Sequence, residues 1–173
     1  MILTTDRLRL RCMEPKDIDN FVRDFCDWEV QQWLTVPPFP YERKDGEAYL
    51  AIVSANHSTT HPTMFVIADK STDEALGAVS IDIGNEGRGE LGYWLGRAHW
   101  GRGIMKEAVT ALLRHARGHP SLQRLIAVTD PANIRSQRIL STCGLAGRGL
   151  TDRPKPSRRG STQVLQYELP IER

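Results

Sequence analysis

The chain has 173 residues, 40% of them hydrophobic and 25% charged, with a net charge of +2. That length suffices for one domain that buries roughly 70% of its unfolded surface, and so even a charge balance carries no general attraction for nucleic acid. No apolar run reaches the about 20 residues of a membrane span, the opening MILTTDRLRLRC lacks the apolar stretch of a signal peptide, and Cys12, Cys26 and Cys143 are too few and too widely spaced for a disulfide frame or a zinc knuckle, which points to a reducing cytoplasm.

Leu8, Leu10 and Cys12 alternate with Arg7, Arg9 and Arg11, a period of two that predicts a half-buried strand with its arginines outward. Pro15 opens a helix, along which Ile18, Phe21, Val22 and Phe25 recur at helical spacing. A second short helix is expected over 27–35, ended by Pro37-Pro38, and a third over 42–55. MFVIA at 64–68 and LGAVSIDI at 76–83 read as a hairpin around KSTDE. ELGYWL at 90–95 is the next strand. Ile104, Met105, Ala108, Val109, Leu112, Leu113 and Ala116 form a helical stripe, closed by Gly118 and Pro120. LIAV at 125–128 is apolar throughout, as in a strand covered on both faces. A helix over 133–143 stops at Gly144, and a basic loop covers 147–161. Leu165, Tyr167 and Leu169 alternate in a last strand. This order makes a mixed α/β fold, with 1–173 as a single domain.

The strand at 90–95 leads through Gly101-Arg102-Gly103 into the helix from Ile104. The first N–H groups of a helix are unpaired and the helix dipole favours an anion there. Glycine lets the backbone approach a phosphate closely, and Arg102 adds a cation, so pyrophosphate is the natural guest. A plain tight turn explains the glycines equally well. A dinucleotide fingerprint fits less well, because Lys106 stands where a third glycine or alanine is wanted and the unit comes late in the chain.

ELGYWLGRAHWGRGIMKEA at 90–108, followed by PANIRSQRILSTCGL at 131–145, resembles the GCN5-related N-acetyltransferase (GNAT) family. Within it the likeness is greatest to the branch that acetylates ribosomal-protein N-termini on alanine or serine, and it runs from TTDRLRLRCMEPKD to the last strand. The resemblance implies a mostly antiparallel sheet flanked by helices, with a splayed strand pair that binds acyl-CoA. The backbone at Trp94 and Leu95 would pair with the pantetheine arm like an added strand, with Trp100 beside it. Amides of Gly101, Arg102, Gly103, Ile104 and Met105 would cradle the pyrophosphate. Asn133 would hydrogen-bond the pantetheine, and Ser136 would lie near the CoA sulfur. No metal is implied. Two positions depart from the family pattern. Ala98 stands where Gln or Arg is frequent, and Leu140 stands where many relatives carry a tyrosine that protonates the leaving thiolate. Ser136 is then the substitute acid.

Only a neutral amine attacks a thioester, whereas an α-amino group has a pKa of about 7.7–8.0 and lysine about 10.4, so a base is needed. Glu90 is the candidate, its alternative role being a solvated edge charge; Asp82 on the neighbouring strand is the reserve. Asn133 and Ser136 also read as helix-capping residues, a role compatible with ligand binding. His99 is a base near the loop or, more simply, a surface loop residue. His115 and His119 sit at i, i+4 with no third ligand and read as non-ligands. Trp28, Trp33 and Trp100 line an acceptor cleft or merely pack. Arg148, Arg153, Lys155, Arg158 and Arg159 face one acid, Asp152, in a solvated loop or an acceptor border. The expected activity is acetyl transfer from acetyl-CoA to a primary amine, on a protein N-terminus or a small molecule. The expectation includes no nucleic acid or membrane partner, and a homodimer in keeping with relatives. The alternatives are a non-catalytic acyl-CoA-binding module, an enzyme using another donor such as succinyl-CoA, or a nucleotide-binding enzyme of another fold.

Overall fold

The computed structural model describes residues 1–55, 63–153 and 155–171, Asn85 through its backbone only. The chain runs β1 (Leu3–Thr4), β2 (Leu8–Arg11), a 3-10 turn at Pro15–Asp17, α1 (Ile18–Phe25), α2 (Trp28–Gln31), α3 (Arg43–Ala55), β3 (Met64–Asp69), β4 (Ala75–Ile83) and β5 (Arg88–Leu95). It continues through α4 (Ile104–Ala116), β6 (Arg124–Thr129), α5 (Ile134–Thr142), β7 (Ala146–Asp152) and β8 (Gln163–Pro170). Among the described residues the strands form one 8-stranded sheet in the order β1-β2-β3-β4-β5-β6-β8-β7. Every pair is antiparallel except β5 with β6, which is parallel. The expected mixed, mostly antiparallel sheet flanked by helices is therefore present.

Alternating side chains sort into two layers. The stripe of α4, all seven residues of it buried, packs with Leu140 of α5 against Leu10, Ile67, Val79, Leu91 and Leu125. On the opposite face Phe21 and Phe25 of α1 meet Tyr41, Val66 and Ala78. Trp94 joins this second cluster, with its ring centroid 4.8 Å from Phe21 and 4.2 Å from Phe25. It thereby ties α1 to β5.

Three local expectations are corrected. Arg11 points inward. It is 4% exposed and bonds both carboxylate oxygens of Asp17, at 2.7 and 2.8 Å, and Asp73 Oδ1 at 3.0 Å. Its remaining N–H groups go to the Cys12 and Asp73 carbonyls. The hydrogen bond to Asp17 raises its pKa most; burial opposes this, and Asp73 adds to the rise. The segment read as a basic loop opens as strand β7, paired with β8 around an irregularity at Gly147/Gly149. Every residue of β7 is exposed, so it carries no alternation to read. Pro154 lies outside the described residues. Finally, β6 is not covered throughout, because Val128 is 38% exposed.

Gly77 lies opposite Leu95 in the β4–β5 ladder. A Cβ there would stand 2.3 Å from the Trp94 carbonyl oxygen and 2.9 Å from the Leu95 Cα. Backbone atoms cannot swing aside as a side-chain tip does. Gly77→Ala is therefore expected to lower stability by about 1–3 kcal/mol, read from urea unfolding. An unchanged midpoint would mean that β5 moves away freely.

Candidate active site

The parallel pair β5–β6 is short. Arg88 faces Arg124, Gly89 faces Leu125 and Glu90 faces Ile126, and there the pairing ends. Beyond Glu90, β5 continues to Leu95 bonded to β4 alone, while β6 continues to Thr129 bonded to β8 alone. The strands thus part like a V with its vertex at Glu90 and Ile126. A cavity of about 410 Å³ occupies the opening, lined by Tyr93, Trp94 and Leu95 on one side and Asn133, Ser136 and Ile139 on the other. Gly101, Gly103 and Lys106 close one end, with Arg135 and Arg138 nearby.

The turn into α4 needs its glycines for their conformation. Gly101 has φ +75° and Gly103 φ +74°, the left-handed region that costs other residues about 1–2 kcal/mol. Gly103 is the N-cap and supplies no side-chain cap, so the first-turn amides of α4 remain available as donors. The loop is held from outside. The Arg7 guanidinium donates to the Arg102 carbonyl at 2.8 Å and pairs with Glu107 at 2.6 Å. Glu107 also accepts from Thr5 Oγ at 2.6 Å and from the Arg7 amide at 3.1 Å. Burial opposes the Glu107 charge, but the Thr5 and Arg7 hydrogen bonds outweigh it and hold the carboxyl below the ordinary range. This clamp contributes stability above the ordinary glutamate pKa and loses it as pH falls through the depressed value.

Asn133 caps α5, accepting from the Ser136 amide at 3.1 Å. Ser136 Oγ lies 2.9 Å from Tyr93 Oη, a contact that bridges the two arms of the V. Burial pushes the Tyr93 phenol well above its ordinary pKa, and the Ser136 hydrogen bond opposes this only in part. Leu140 is fully buried in the core and presents no polar group. Trp100 donates its indole N–H to the Leu95 carbonyl at 2.8 Å, and Arg135 lies 4.6 Å over its ring. Ile104 and Met105 line the same cavity.

Glu90 and Asp82 sit directly opposite each other on β5 and β4. Both are exposed, and neither lines the cavity. By alternation Glu90 shares the α1 face with Trp94, at the vertex of the V. His99 is not a free surface residue. It lines the cavity, and both its ring nitrogens are buried without a partner among the described residues. The basic segment is partly docked. Arg158 donates to Gln31 Oε1 at 3.1 Å and to the Pro37 carbonyl; Arg159 donates to Gln32 Oε1 at 2.7 Å and covers Trp33. Trp33 lines the cavity, whereas Trp28 packs edge-on against Phe39. His115 meets Phe65 edge-on. Among the described residues no three His, Cys, Asp or Glu side chains gather as for a metal, and no helix is long and apolar enough to cross a membrane.

Sequence reasoning missed Tyr93, and it named Arg158 and Arg159 without their docking on Gln31 and Gln32. The tyrosine lies inside the quoted ELGYWL stretch, but only the fold brings it to Ser136.

A family model described as an acetyltransferase (GNAT) domain matches residues 7–146. The chain is 31% identical over 150 residues to the uncharacterized N-acetyltransferase p20 of Bacillus licheniformis, covering 86% of this chain and 84% of that one. It is 26% identical over 159 residues to the ribosomal protein uS5-alanine N-acetyltransferase of Escherichia coli K12, covering 85% and 79%. In fold it matches the solved ribosomal L7/L12 alpha-N-protein acetyltransferase in complex with coenzyme A, with a TM-score of 0.83, 20% identity, and coverage of 99% and 98%.

Proposed function

Since this chain belongs to the GNAT acetyltransferase family, we propose that the whole of 1–173 acts as one unit that passes an acetyl group from acetyl-CoA directly to a primary amine. The observation that carries this reading is the V between β5 and β6, with a left-handed glycine turn at one end and hydroxyls across it. The residues fit such a guest. The cavity combines apolar walls with basic side chains near the cradle, and His99, whose ring nitrogens are buried without a partner among the described residues, borders it. A buried polar atom left alone costs about 1–3 kcal/mol. The coenzyme-A-bound fold neighbour and the uS5-alanine relative support a CoA donor and a protein N-terminus as acceptor. A small-molecule amine remains the other acceptor class.

In this reading the α4 amides and the Gly101–Gly103 backbone hold the pyrophosphate, while Asn133 and the Trp94–Leu95 backbone hold the arm. The Leu95 carbonyl already serves the Trp100 indole, so Trp100 fixes the strand edge that the arm would meet. Glu90, at the vertex and open to solvent, takes the amine proton directly or through water. Ser136 offers its hydroxyl to the departing sulfur. Glu90→Gln is expected to lower turnover about a hundredfold and leave the acetyl-CoA dissociation constant within a factor of two. Turnover equal to the parent at every pH would remove Glu90 from the mechanism and turn attention to Asp82.

Leu140 favours one rival. A core leucine where relatives carry a phenol suits an acyl-CoA-binding module that has lost its acid. Calorimetric titration with acetyl-CoA, succinyl-CoA, NADH and ATP tests the donor. An amine panel followed by thiol release then tests catalysis. Binding with turnover on any amine excludes the module, and no binding by folded protein refutes the whole reading.

A further inference from the structure

We propose that Tyr93 is a positioning residue that aims the Ser136 hydroxyl at the sulfur of the leaving thiolate. This rests on the acetyl-CoA reading above. A guest anchored by its pyrophosphate at Gly101–Gly103 and lying in this cavity runs its arm past Tyr93 and Ser136, which line it. Tyr93 lies three residues from the vertex of the V, about 10 Å along the strand. The sulfur, at the far end of the arm, therefore arrives beside the Tyr93–Ser136 pair.

The two oxygens lie 2.9 Å apart, and the Ser136 carbonyl, at 3.3 Å from Tyr93 Oη, is a longer second acceptor for the phenol. A phenol is the stronger acid and the better donor, and an aliphatic hydroxyl oxygen is the better acceptor. When Tyr93 donates, the Ser136 proton is free to turn into the cavity. The alternative, Ser136 donating to Tyr93, would spend the only proton Ser136 has. Tyr93 itself is a poor acid for this step. Burial holds its phenol protonated far above the thiol pKa of about 8.5, so it acts through Ser136 and keeps its proton. The Tyr93 ring packs against the α4 core cluster, which limits its swing. Ser136 is fixed by its own amide on Asn133. Both hydroxyls are thus held by separate elements, β5 and α5.

In the transfer, the C–N bond forms and the C–S bond breaks. The sulfur keeps the bonding pair, and the amine proton leaves to Glu90 or water. Sulfur accepts the Ser136 hydrogen bond and takes its proton from water on release. No oxidant or further reactant is needed. Ser136, one turn before Leu140 on α5, supplies the hydroxyl chemistry that Leu140 cannot, and Tyr93 orients it from β5.

CoA itself is the probe, and its bound thiol is titrated by thiolate absorbance. The parent should lower the thiol pKa by about one unit. Ser136→Ala and Tyr93→Phe should each return most of that shift, and the double variant should return no more than Ser136→Ala alone. Calorimetric affinity for CoA at neutral pH should stay within a factor of two in Tyr93→Phe, which keeps the ring and deletes one oxygen. A merely structural role would move the affinity or the melting temperature instead of the thiol titration. An unshifted titration in Tyr93→Phe, or losses that add in the double variant, would overturn the positioning role while leaving the acetyl-CoA reading intact. A parent that binds no CoA would overturn both.

Discussion

Arg11→Met is expected to destabilise the fold by about 3–5 kcal/mol, the cost of breaking a buried ion pair by removing one partner. Arg11 is more than a paired charge. It draws β2, the Pro15–Asp17 turn and the β3–β4 hairpin onto one guanidinium, since Asp17 and Asp73 come from the last two. Removing it strands the Asp17 carboxylate, whose side chain is 2% exposed. Asp17 keeps the Glu14 amide at 2.8 Å, which neutralises none of its charge. Arg9, one turn of the pleat away and about half exposed, meets Asp73 only at 3.9 Å, so Arg9→Met should change stability by less than about 0.5 kcal/mol. Urea unfolding of both variants makes the comparison. A double change, Arg11→Met with Asp17→Leu, should recover part of the loss, because the orphaned charge goes with it. A loss below about 1 kcal/mol in Arg11→Met would show that solvent reaches the site and screens the pair.

The same residue shows where local pattern stops being informative. The alternation in LRLR is real, and Leu8 and Leu10 are both buried. Period two places Arg11 on the outer face, but the acids that draw it inward lie 6 and 62 positions away. By contrast, the α4 stripe was legible residue by residue, because a single helix packs one face on one sheet and its burial follows from its own spacing. β7 was illegible for the opposite reason: it buries nothing and is held by backbone pairing with β8 and one exposed Arg148–Glu168 ion pair. The glycine turn could be read because φ above zero selects glycine wherever it occurs. The V could not, since the point where β5 and β6 part is a matter of register between strands 29 residues or more apart. Tyr93 and His99 follow from it. Their partner, or lack of one, exists only once the V is open.

Gly103→Ala should weaken acetyl-CoA binding roughly ten- to a hundredfold while leaving the fold cooperative. An alanine at φ +74° and ψ +3° carries strain of about 1–3 kcal/mol. The free loop relieves it by relaxing out of the left-handed region. A Cβ at this position meets nothing closer than the Arg7 guanidinium at 3.5 Å, so the effect is conformational and not a clash. Binding must then restore the original backbone so that the first-turn amides of α4 converge again. The strain reappears as lost affinity, at about 1.4 kcal/mol per tenfold. Gly101→Ala tests the same logic with no neighbour at all within 4 Å. Glu107→Gln removes the charge that holds Arg7 on the Arg102 carbonyl, so it should loosen the same loop from behind. Calorimetry with acetyl-CoA reads all three. If Gly103→Ala and Gly101→Ala bind as tightly as the parent, the amides of that turn do not hold the pyrophosphate, and the cationic side chains of Arg135 and Arg138 would have to carry it instead.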